Sequence, residues 1–290
     1  MKLSQPTPLA SESPRQDRPT AVKDASQQAL QDAMEGLYDH YFACQDYQKR
    51  YPSPNATTLN FLFAHGAGTA RQILDFGCGN GRYALALLQR TQATVTGYDI
   101  SLAAIDAFQG LLNNTQFGQR ARLLTGPLDV LERCEKFDMV LMLFGVLSHV
   151  GGQAARHEVL HRLRALMQPQ GQLVLTVPSV WRRRPLDWCS AVLSRATGRA
   201  QGVQAESGNI EFTRVLAGTP HTFFYHLYST QSLRRELRSC GFEVVAMDAE
   251  SVLPEWLVTQ NQTLGRADAA VSRFLPAGLG YGIRVVARPV

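Results

Sequence analysis

A glycine-rich turn between a predicted strand and a predicted helix constrains the fold of this chain more than any other feature. Residues 73–82 read ILDFGCGNGR, and Asp75 stands two residues before the first of three alternating glycines. Glycine permits positive φ and removes the Cβ atom, so a ligand can touch the main chain there. A dinucleotide fingerprint, GxGxxG, would need its third glycine where the chain has Arg82. The pattern is instead DxGxGxG, without a phosphate-binding lysine or threonine in the loop.

A second carboxylate follows the next predicted strand. Asp99 stands in the segment GYDIS, eighteen residues after Gly81. An acid at the end of this strand can accept hydrogen bonds from both ribose hydroxyls of a nucleoside. The turn and this acid together favour a ligand that carries a nucleoside but no pyrophosphate.

Strands and helices are predicted to alternate, which is typical of βαβ units on a parallel sheet. The predicted strands are 72–76, 94–98, 121–125, 137–143, 172–178, 242–247 and 282–287. The predicted helices are 25–50, 57–65, 82–91, 101–112, 153–167 and 229–240. The strands read as continuous apolar runs, which indicates a sheet covered on both faces. The predicted fold is therefore α/β and Rossmann-like: a mostly parallel seven-stranded sheet with helices on both faces and an antiparallel final hairpin.

Three further segments complete the predicted organisation. Residues 1–24 are polar and proline-rich, and we expect a disordered tail. Residues 25–70 form an N-terminal helical cap, and residues 71–290 form the main domain. Residues 179–228, after the fifth strand, show weak periodicity and are interpreted as an insertion that acts as a substrate lid.

Charge and cysteine content indicate which partners and which cellular compartment to expect. The net charge is +5 and the isoelectric point about 9.1, which permits an anionic partner without requiring one. Five cysteines without a CxxC pair favour reduced thiols in the cytoplasm over disulfides or a zinc ribbon. The N-terminal residues lack the apolar segment of a signal peptide, and the longest apolar run, 139–147, is too short to span a bilayer. Nothing in the sequence indicates an oligomeric state.

Four motifs in order carry a family resemblance: DFGCGNG, GYDIS, FDMVLMLFGVLSHV and LRALMQPQGQLVLTVP. Together they resemble the class I S-adenosylmethionine-dependent methyltransferases, from about residue 73 to residue 178. The resemblance implies the Rossmann-like fold, S-adenosyl-L-methionine as cofactor, and transfer of its methyl group to an acceptor.

The resemblance also implies roles for individual residues. The methionine half of the cofactor is expected at Asp75, Gly77, Cys78 and Gly79, the ribose at Asp99, and one adenine face at Ile100, with Gly81 as a further cofactor-binding residue. Many relatives have Gly-Asp after the third strand, whereas Gly126 here is followed by Pro127, so we expect Leu128 or Asp129 near the adenine. Further expected contacts are Phe144 and Gly145, where cofactor and acceptor meet, and Arg50 and Tyr51, which either fold over the methionine carboxylate or pack nearby.

His149 is the candidate catalytic residue. It follows the fourth strand, at the carboxyl edge where open α/β sheets place their sites. A neutral imidazole there could take a proton from an acceptor hydroxyl or amine. It could equally only line the pocket, because methyl transfer from a sulfonium depends mainly on positioning.

Two other groups of residues remain open. The segment HEVLH, residues 157–161, matches the HExxH zinc motif but lacks a third ligand, so we expect a helix surface and no metal. Acceptor contacts are predicted for five residues of the insertion, either directly or as packing: Trp181, Arg182, His221, Tyr225 and Tyr228.

The predicted function is a methyltransferase acting on an O or N atom of a small-molecule acceptor. One alternative is tRNA, because residues 225–242 resemble a segment of the wobble-uridine carboxymethyl methyltransferases and the chain is basic. Another is a cofactor-binding partner subunit without catalysis. Turnover would separate the enzyme from that subunit, and salt-sensitive RNA binding would identify tRNA.

Overall fold

The computed structural model describes residues 25–181 and 185–290, so the predicted tail and Arg182 lie outside the described residues. The strands are β1 (Gln72–Phe76), β2 (Thr94–Tyr98), β3 (Ala121–Leu124), β4 (Phe137–Met142), β5 (Met167–Pro178), β6 (Asn209–Leu216), β7 (Thr219–His226), β8 (Phe242–Ala249) and β9 (Gly282–Pro289). The α-helices are α1 (Ala25–Ala43), α2 (Asp46–Arg50), α3 (Ala56–Ala64), α4 (Arg82–Arg90), α5 (Leu102–Leu112), α6 (Val146–His149), α7 (Gln153–Ala165), α8 (Pro185–Ala196), α9 (Thr230–Ser239), α10 (Glu255–Gln260) and α11 (Gln262–Ser272).

Seven strands form one sheet in the order β3-β2-β1-β4-β5-β9-β8. Strands β1 to β5 run parallel, and β9 pairs antiparallel with both β5 and β8. The predicted Rossmann-like fold is therefore confirmed. The chain moves outward from β1 to β3 and then returns to β4 beside β1, so a crevice opens between the carboxyl ends of β1 and β4, where ligands of such sheets bind.

The sheet is covered on both faces. Successive strand residues point to opposite faces, so Leu74 belongs to a core under α7 and α9, whereas Ile73 belongs to a core under α3, α4 and α5. Both side chains are fully buried. This explains why the central strands read as unbroken apolar runs in the sequence.

The single helix predicted over residues 25–50 is wrong. It divides into α1 and α2 because Gln45 adopts a left-handed conformation with φ of 59°. The turn brings the ring of Tyr47 back to 4.5 Å from the ring of Phe42. Apolar spacing alone could not show this break, because buried apolar residues continue at helical spacing on both sides of it.

The segment after β5 has more regular structure than its weak periodicity suggested. It contains α8 and an antiparallel hairpin of β6 and β7, paired over eight residues of each strand. Its two ends meet: Ser179 bridges Tyr228, and the Val180 amide donates to the Tyr228 carbonyl at 2.9 Å. The insertion therefore leaves and rejoins the main domain at one point.

Helices α10 and α11 had no counterpart among the predicted elements. α10 begins with Glu255, whose carboxylate pairs with the Arg82 guanidinium at 2.7 Å, and both side chains are buried. This pair ties the C-terminal region to the start of α4. Among the described residues, no helix has the length and apolar character needed to cross a membrane.

Candidate active site

The glycine-rich turn joins β1 to α4 at the carboxyl edge of the sheet. Gly77, Gly79 and Gly81 have φ values of 77°, 55° and 78°, a region that strains any residue with a Cβ. A Cβ on Gly77 would lie 2.4 Å from Cγ2 of Val146, and one on Gly81 would lie 2.2 Å from the Phe108 ring. The side chains of Val146 and Phe108 therefore pack directly against the main chain of the turn. A residue with a Cβ would not fit at Gly77 or Gly81.

The carboxylate of Asp99 holds the turn from β2. It accepts hydrogen bonds from the amides of Gly79 at 2.8 Å and Ser101 at 3.0 Å. Burial raises the pKa of Asp99 to about 6. A carboxylate offers about four lone-pair positions, so the two amides leave capacity for further donors. This acceptor capacity fits the two hydroxyls of a ribose.

Asp75 is a second buried carboxyl beside the turn. Its pKa rises to about 7, first because of burial and then because of the nearby charge of Asp99. The Arg82 charge and the Ala84 amide act in the opposite direction. A cationic group bound near Asp75 would favour its ionised form. The amino group of a methionine moiety is such a cation.

One polar atom of the turn is buried without a partner. Oδ1 of Asn80 makes no hydrogen bond among the described residues. A buried acceptor of this kind normally has a donor, so its position suggests a ligand N–H group. The side of the turn at Gly79 is covered by Phe42, whose Cζ would lie 3.0 Å from a Cβ at that glycine.

Phe144, directly after β4, faces the same region with a strained backbone. Its φ is 61°, rare for a residue with a large side chain, and its amide donates to Oγ1 of Thr176 at 2.6 Å. The ring lies 4.6 Å from the Tyr51 ring and 4.6 Å from the Arg82 guanidinium carbon. Such strain is found at sites that position a ligand.

Arg50 and Tyr51 lie at the end of α2, close to each other. Nε of Arg50 donates to the Tyr51 hydroxyl at 3.2 Å, and its guanidinium stands over the rings of Tyr51 and Trp256. Tyr51 is buried against Phe144, whereas Arg50 is half-buried. The structure thus brings Tyr51 to the crevice and directs Arg50 toward α10.

The predicted adenine side is apolar. Ile100 and Leu128 are partly buried and pack against the same core cluster, which includes the stacked rings of Phe76 and Tyr98. Asp129 is exposed. Of the two candidates after the third strand, Leu128 is therefore better placed to contact a base, and Asp129 could reach only its solvent-facing edge.

His149 ends α6 and is bonded to the N-terminal cap. Its Nε2 lies 2.8 Å from the hydroxyl of Tyr38 in α1, and its ring centroid lies 4.3 Å from that of Tyr225. Burial raises the pKa of Tyr38 well above its usual value, so this phenol stays protonated, and its oxygen can accept from the Nε2–H tautomer of the imidazole, which leaves the lone pair on Nδ1. The bond fixes the imidazole beside the crevice.

A small aromatic cavity of about 10 Å³, room for about one water molecule, adjoins this pair. Helices α1 and α2, the end of β4 and the hairpin supply its walls: Tyr38, Tyr41, Tyr47, Tyr51, Phe144, His149, Phe212, Arg214, Phe223 and Tyr225. Gly145 lies against the hairpin, because a Cβ there would be in ordinary contact with the Tyr225 hydroxyl at 3.6 Å. The cavity therefore begins where β4 ends.

One face of the hairpin supplies that wall. Phe212 pairs with Phe223, and Arg214 pairs with His221, so these four side chains share a face. The Phe212 and Phe223 rings stack at 5.5 Å with an interplanar angle of 10°. Arg214 donates to the Tyr41 hydroxyl at 3.3 Å.

The predicted acceptor residues separate into two groups. Tyr225 lines the cavity, and His221 lies on the same hairpin face. Trp181 is 61% exposed beside Trp188, and Tyr228 is fully buried in the core under α9, so neither lines the cavity. The positions of these two residues do not support the predicted contact with the acceptor, because both lie where the insertion leaves and rejoins the main domain.

The HEVLH segment lies on α7. The rings of His157 and His161 are perpendicular, with centroids 6.5 Å apart. Val159, Leu160 and Leu163 form its buried side, as the apolar spacing indicates. Within the described ranges, no cluster of three His, Cys, Asp or Glu side chains could hold a metal.

Sequence analysis missed Tyr38, Phe212, Phe223 and Arg214. The hairpin segments NIEFTRVL and TPHTFFYH do alternate, with Ile, Phe, Arg and Leu on one face of the first. That alternation could have predicted the strand. The charged side chain of Arg214 within it made the segment read as polar instead. No local signal marks Tyr38, whose partner is 111 residues away.

Comparison with known proteins gives the site a family context. A family model described as a methyltransferase domain matches residues 47–247. This range includes the glycine-rich turn, Asp99, His149 and the hairpin.

The names of two curated relatives indicate different methyl acceptors. A tRNA U34 carboxymethyltransferase of Idiomarina loihiensis is 31% identical over 109 residues, covering 37% of this chain and 32% of that protein. A ubiquinone biosynthesis O-methyltransferase of Stutzerimonas stutzeri is 28% identical over 139 residues, covering 48% of this chain and 56% of that protein. The chain thus spans between a third and about half of the length of these relatives.

Solved structures agree on the fold. The CcbJ methyltransferase from Streptomyces caelestis is 17% identical with a TM-score of 0.55, covering 82% of this chain and 91% of that one. An S-adenosylmethionine-dependent methyltransferase from Clostridium acetobutylicum is 9% identical with a TM-score of 0.58, covering 87% of this chain and 99% of that one.

Proposed function

Because the chain belongs to the methyltransferase-domain family and is an S-adenosylmethionine-dependent enzyme, we propose that it methylates a hydroxyl or amine of a small-molecule acceptor held in the aromatic cavity. The observation that carries this proposal is the position of His149. Its imidazole stands between the end of β4, where the crevice of the sheet opens, and the aromatic cavity, which would widen for an acceptor as the cap and the hairpin move apart.

The residues around the glycine-rich turn fit the cofactor. Asp99 would accept the ribose hydroxyls, and the bare main chain from Gly77 to Gly79 would lie along the methionine half. Asp75 and the unpartnered Oδ1 of Asn80 would receive its amino group. When bound, S-adenosyl-L-methionine supplies a methyl group on a sulfonium, whose S–C bond breaks as the new bond to the acceptor forms.

The chain contributes positioning and a place for the proton. The rings of Tyr225 and Phe144 hold the acceptor where the cavity meets the crevice and exclude water from it. His149 takes the proton that the acceptor hydroxyl or amine releases. Tyr38 holds the imidazole in place through its hydroxyl. The insertion, residues 179–228, and the cap, residues 25–70, together act as the lid.

The first test is binding. Calorimetric titration with S-adenosylhomocysteine should give a micromolar Kd in the wild type and a weaker one in Asp99→Asn. Arg235→Gln, on the exposed side of α9, is the control and should bind like the wild type. Equal affinity in all three proteins would remove Asp99 from the cofactor site.

The second test is turnover. Labelled methyl from S-adenosylmethionine should appear in a small-molecule product when the protein is incubated with a metabolite extract. Loss of transfer in His149→Ala with an unchanged Kd for S-adenosylhomocysteine would show that His149 acts in methyl transfer and not in cofactor binding. A protein that binds the cofactor product tightly but never transfers the methyl group would fit the partner-subunit alternative instead.

Transfer to tRNA is the second candidate. The relative named as a tRNA U34 carboxymethyltransferase and the segment at residues 225–242 support it. Most of that segment forms α9 and the core, where Leu233 and Leu237 are fully buried, so its similarity is accounted for by packing. Salt-dependent RNA binding with methyl transfer to RNA would favour this candidate.

A further inference from the structure

The aromatic cavity contains one guanidinium, that of Arg214. Within the described part of the chain, no carboxylate oxygen lies within 4.0 Å of it in an ion pair. Half-buried cations in proteins are normally paired or solvated. Arg214 is instead set among aromatic rings and tyrosine hydroxyls, which makes it different from the buried Arg82 and Arg156, since both of those have acidic partners.

The contacts of Arg214 leave its donors available. A guanidinium has five N–H donors, and its recorded hydrogen bond goes to the Tyr41 hydroxyl at 3.3 Å. Its remaining close contacts are ring faces: the Tyr41, Phe212 and Phe223 centroids lie between 5.2 and 5.8 Å from the guanidinium carbon. These rings orient the planar group without using its donors.

His221 provides a second polar atom beside Arg214. It pairs directly with Arg214 across the hairpin, so both side chains project from the same face. Its Nε2 is buried and has no hydrogen-bond partner among the described residues. A guanidinium with donors to spare and a buried imidazole nitrogen without a partner point to an anionic ligand group.

This cationic end and the proton acceptor are connected through rings. Tyr38 bonds His149 and lies 6.2 Å from Phe223, which is one of the rings under Arg214. Flat rings on the cap and on the hairpin therefore separate a cationic end from the His149 end. The cap and hairpin rings meet edge to face, as Tyr38 and Phe223 do, so a planar molecule would lie against them once the cap and the hairpin part.

We propose that Arg214, with His221 beside it, binds a carboxylate on the acceptor, and that the acceptor is an aromatic acid whose methylated hydroxyl or amine lies at His149. The identity of the reacting end rests on the proposed function, whereas the binding of the carboxylate does not. Arg214 sets specificity here: the guanidinium takes the carboxylate through two parallel N–H bonds, and the rings hold the aromatic plane.

The test compares two probes that differ in one group. 4-Hydroxybenzoate and 4-hydroxybenzamide have the same ring and hydroxyl, but only the first carries a carboxylate. Calorimetric titrations are made with and without saturating S-adenosylhomocysteine. The wild type should bind the benzoate at least tenfold more tightly than the amide. Arg214→Gln should lose that preference, and Arg214→Lys should keep part of it because charge remains but the paired geometry does not.

Controls separate recognition from folding and from the cofactor site. Arg235→Gln makes the same charge change on an exposed helix face and should behave like the wild type. Thermal melting and S-adenosylhomocysteine affinity in Arg214→Lys should stay close to those of the wild type. His221→Gln should weaken the benzoate by a smaller factor than Arg214→Gln.

Two outcomes would overturn the inference. One is equal affinity of the wild type for the benzoate and the amide, including no measurable binding of either. The other is an unchanged preference in a folded Arg214→Gln protein. A wild type that binds the benzoate through Arg214 but does not bind S-adenosylhomocysteine would contradict the proposed function and leave the carboxylate site standing.

Discussion

The hydroxyl of Tyr38 in α1 lies 2.8 Å from Nε2 of His149 at the end of α6. The bond joins the N-terminal cap to the carboxyl edge of the sheet. It therefore makes the cap part of the reacting site. A cap that moved away from the sheet would release the imidazole and open the cavity together.

Tyr38→Phe tests this bond. It removes the hydroxyl and keeps the ring, so we expect kcat for the identified acceptor to fall by about tenfold through loss of orientation. His149→Ala should lower kcat by about 10²-fold or more if the imidazole takes the proton. The double variant should be no worse than His149→Ala, because Tyr38 acts through the histidine. Steady-state kinetics measures all three, and additive losses would show that the two residues act independently.

The binding of S-adenosylhomocysteine should depend on pH through Asp99. Its pKa in the free protein is raised from 3.8 to about 6 by burial, and ribose hydroxyls donate to the ionised form. Affinity should therefore fall as the pH drops below about 6, by up to tenfold per pH unit. Titrations between pH 8 and pH 5 measure it. Asp99→Asn should bind more weakly at pH 8 and lose this dependence, and the loss of its charge should also lower the pKa of Asp75.

The raised pKa of Asp99 also affects the stability of the unliganded protein, which changes with pH in the direction opposite to ligand affinity. A folded pKa above the unfolded one gives a contribution that is fully present below pH 3.8 and is lost as the pH rises through about 6. Saturating S-adenosylhomocysteine should therefore stabilise the protein more at pH 8 than at pH 5. Equal stabilisation at the two pH values would contradict the ionised state assigned to Asp99 in the complex.

Gly77→Ala should destabilise the protein. The new Cβ would meet Val146 at 2.4 Å, and φ of 77° disfavours alanine, so we expect a loss of about 2–4 kcal/mol in the free energy of unfolding. Gly110→Ala is the matched control. It is exposed in α5 with open space around its Cβ position, so it should stabilise by up to about 1 kcal/mol. Urea unfolding compares the two, and a Gly77→Ala protein as stable as the wild type would contradict the close packing of the turn.

Replacing residues 181–226 by a short Gly-Ser linker should separate the two halves of the site. Ser179 and Tyr228 pair directly, so the linker has almost no distance to span. The shortened protein should keep S-adenosylhomocysteine affinity within about tenfold, because Asp75 and Asp99 stay in place, but should lose binding of the aromatic acid. Retained acid binding would remove the hairpin from the acceptor site.

The parts of the fold visible in the sequence are those that local pattern determines. β1 and β2 have the predicted limits because each is a short apolar run next to a turn residue or an acid. The ends of other elements differ by a few residues, as at β8, which continues to Ala249. At those ends, pairing with a neighbouring strand decides the limit: Ala249 pairs with Ile283, 34 residues away, and such a partner cannot be seen in the local sequence.

The cofactor side of the site was also predictable, because its residues follow strands in motifs. The acceptor side was not. Arg214 stands in the middle of a strand, where its charge looks like an exposed loop, and only pairing with β7 shows which face it shares. Tyr38 and Gln45 were assigned to one continuous helix, because helical spacing does not reveal a left-handed residue. Long-range packing decides all three.

Partition of the transferred label most directly tests the central claim that the chain methylates a small molecule in this cavity. The protein is incubated with methyl-labelled S-adenosylmethionine and cell extract, and the products are divided into RNA and molecules below about 1 kDa. The account predicts label in the small-molecule fraction, absent with His149→Ala and strongly reduced with Arg214→Gln. Label found only in nuclease-sensitive RNA, and unaffected by Arg214→Gln, would contradict it.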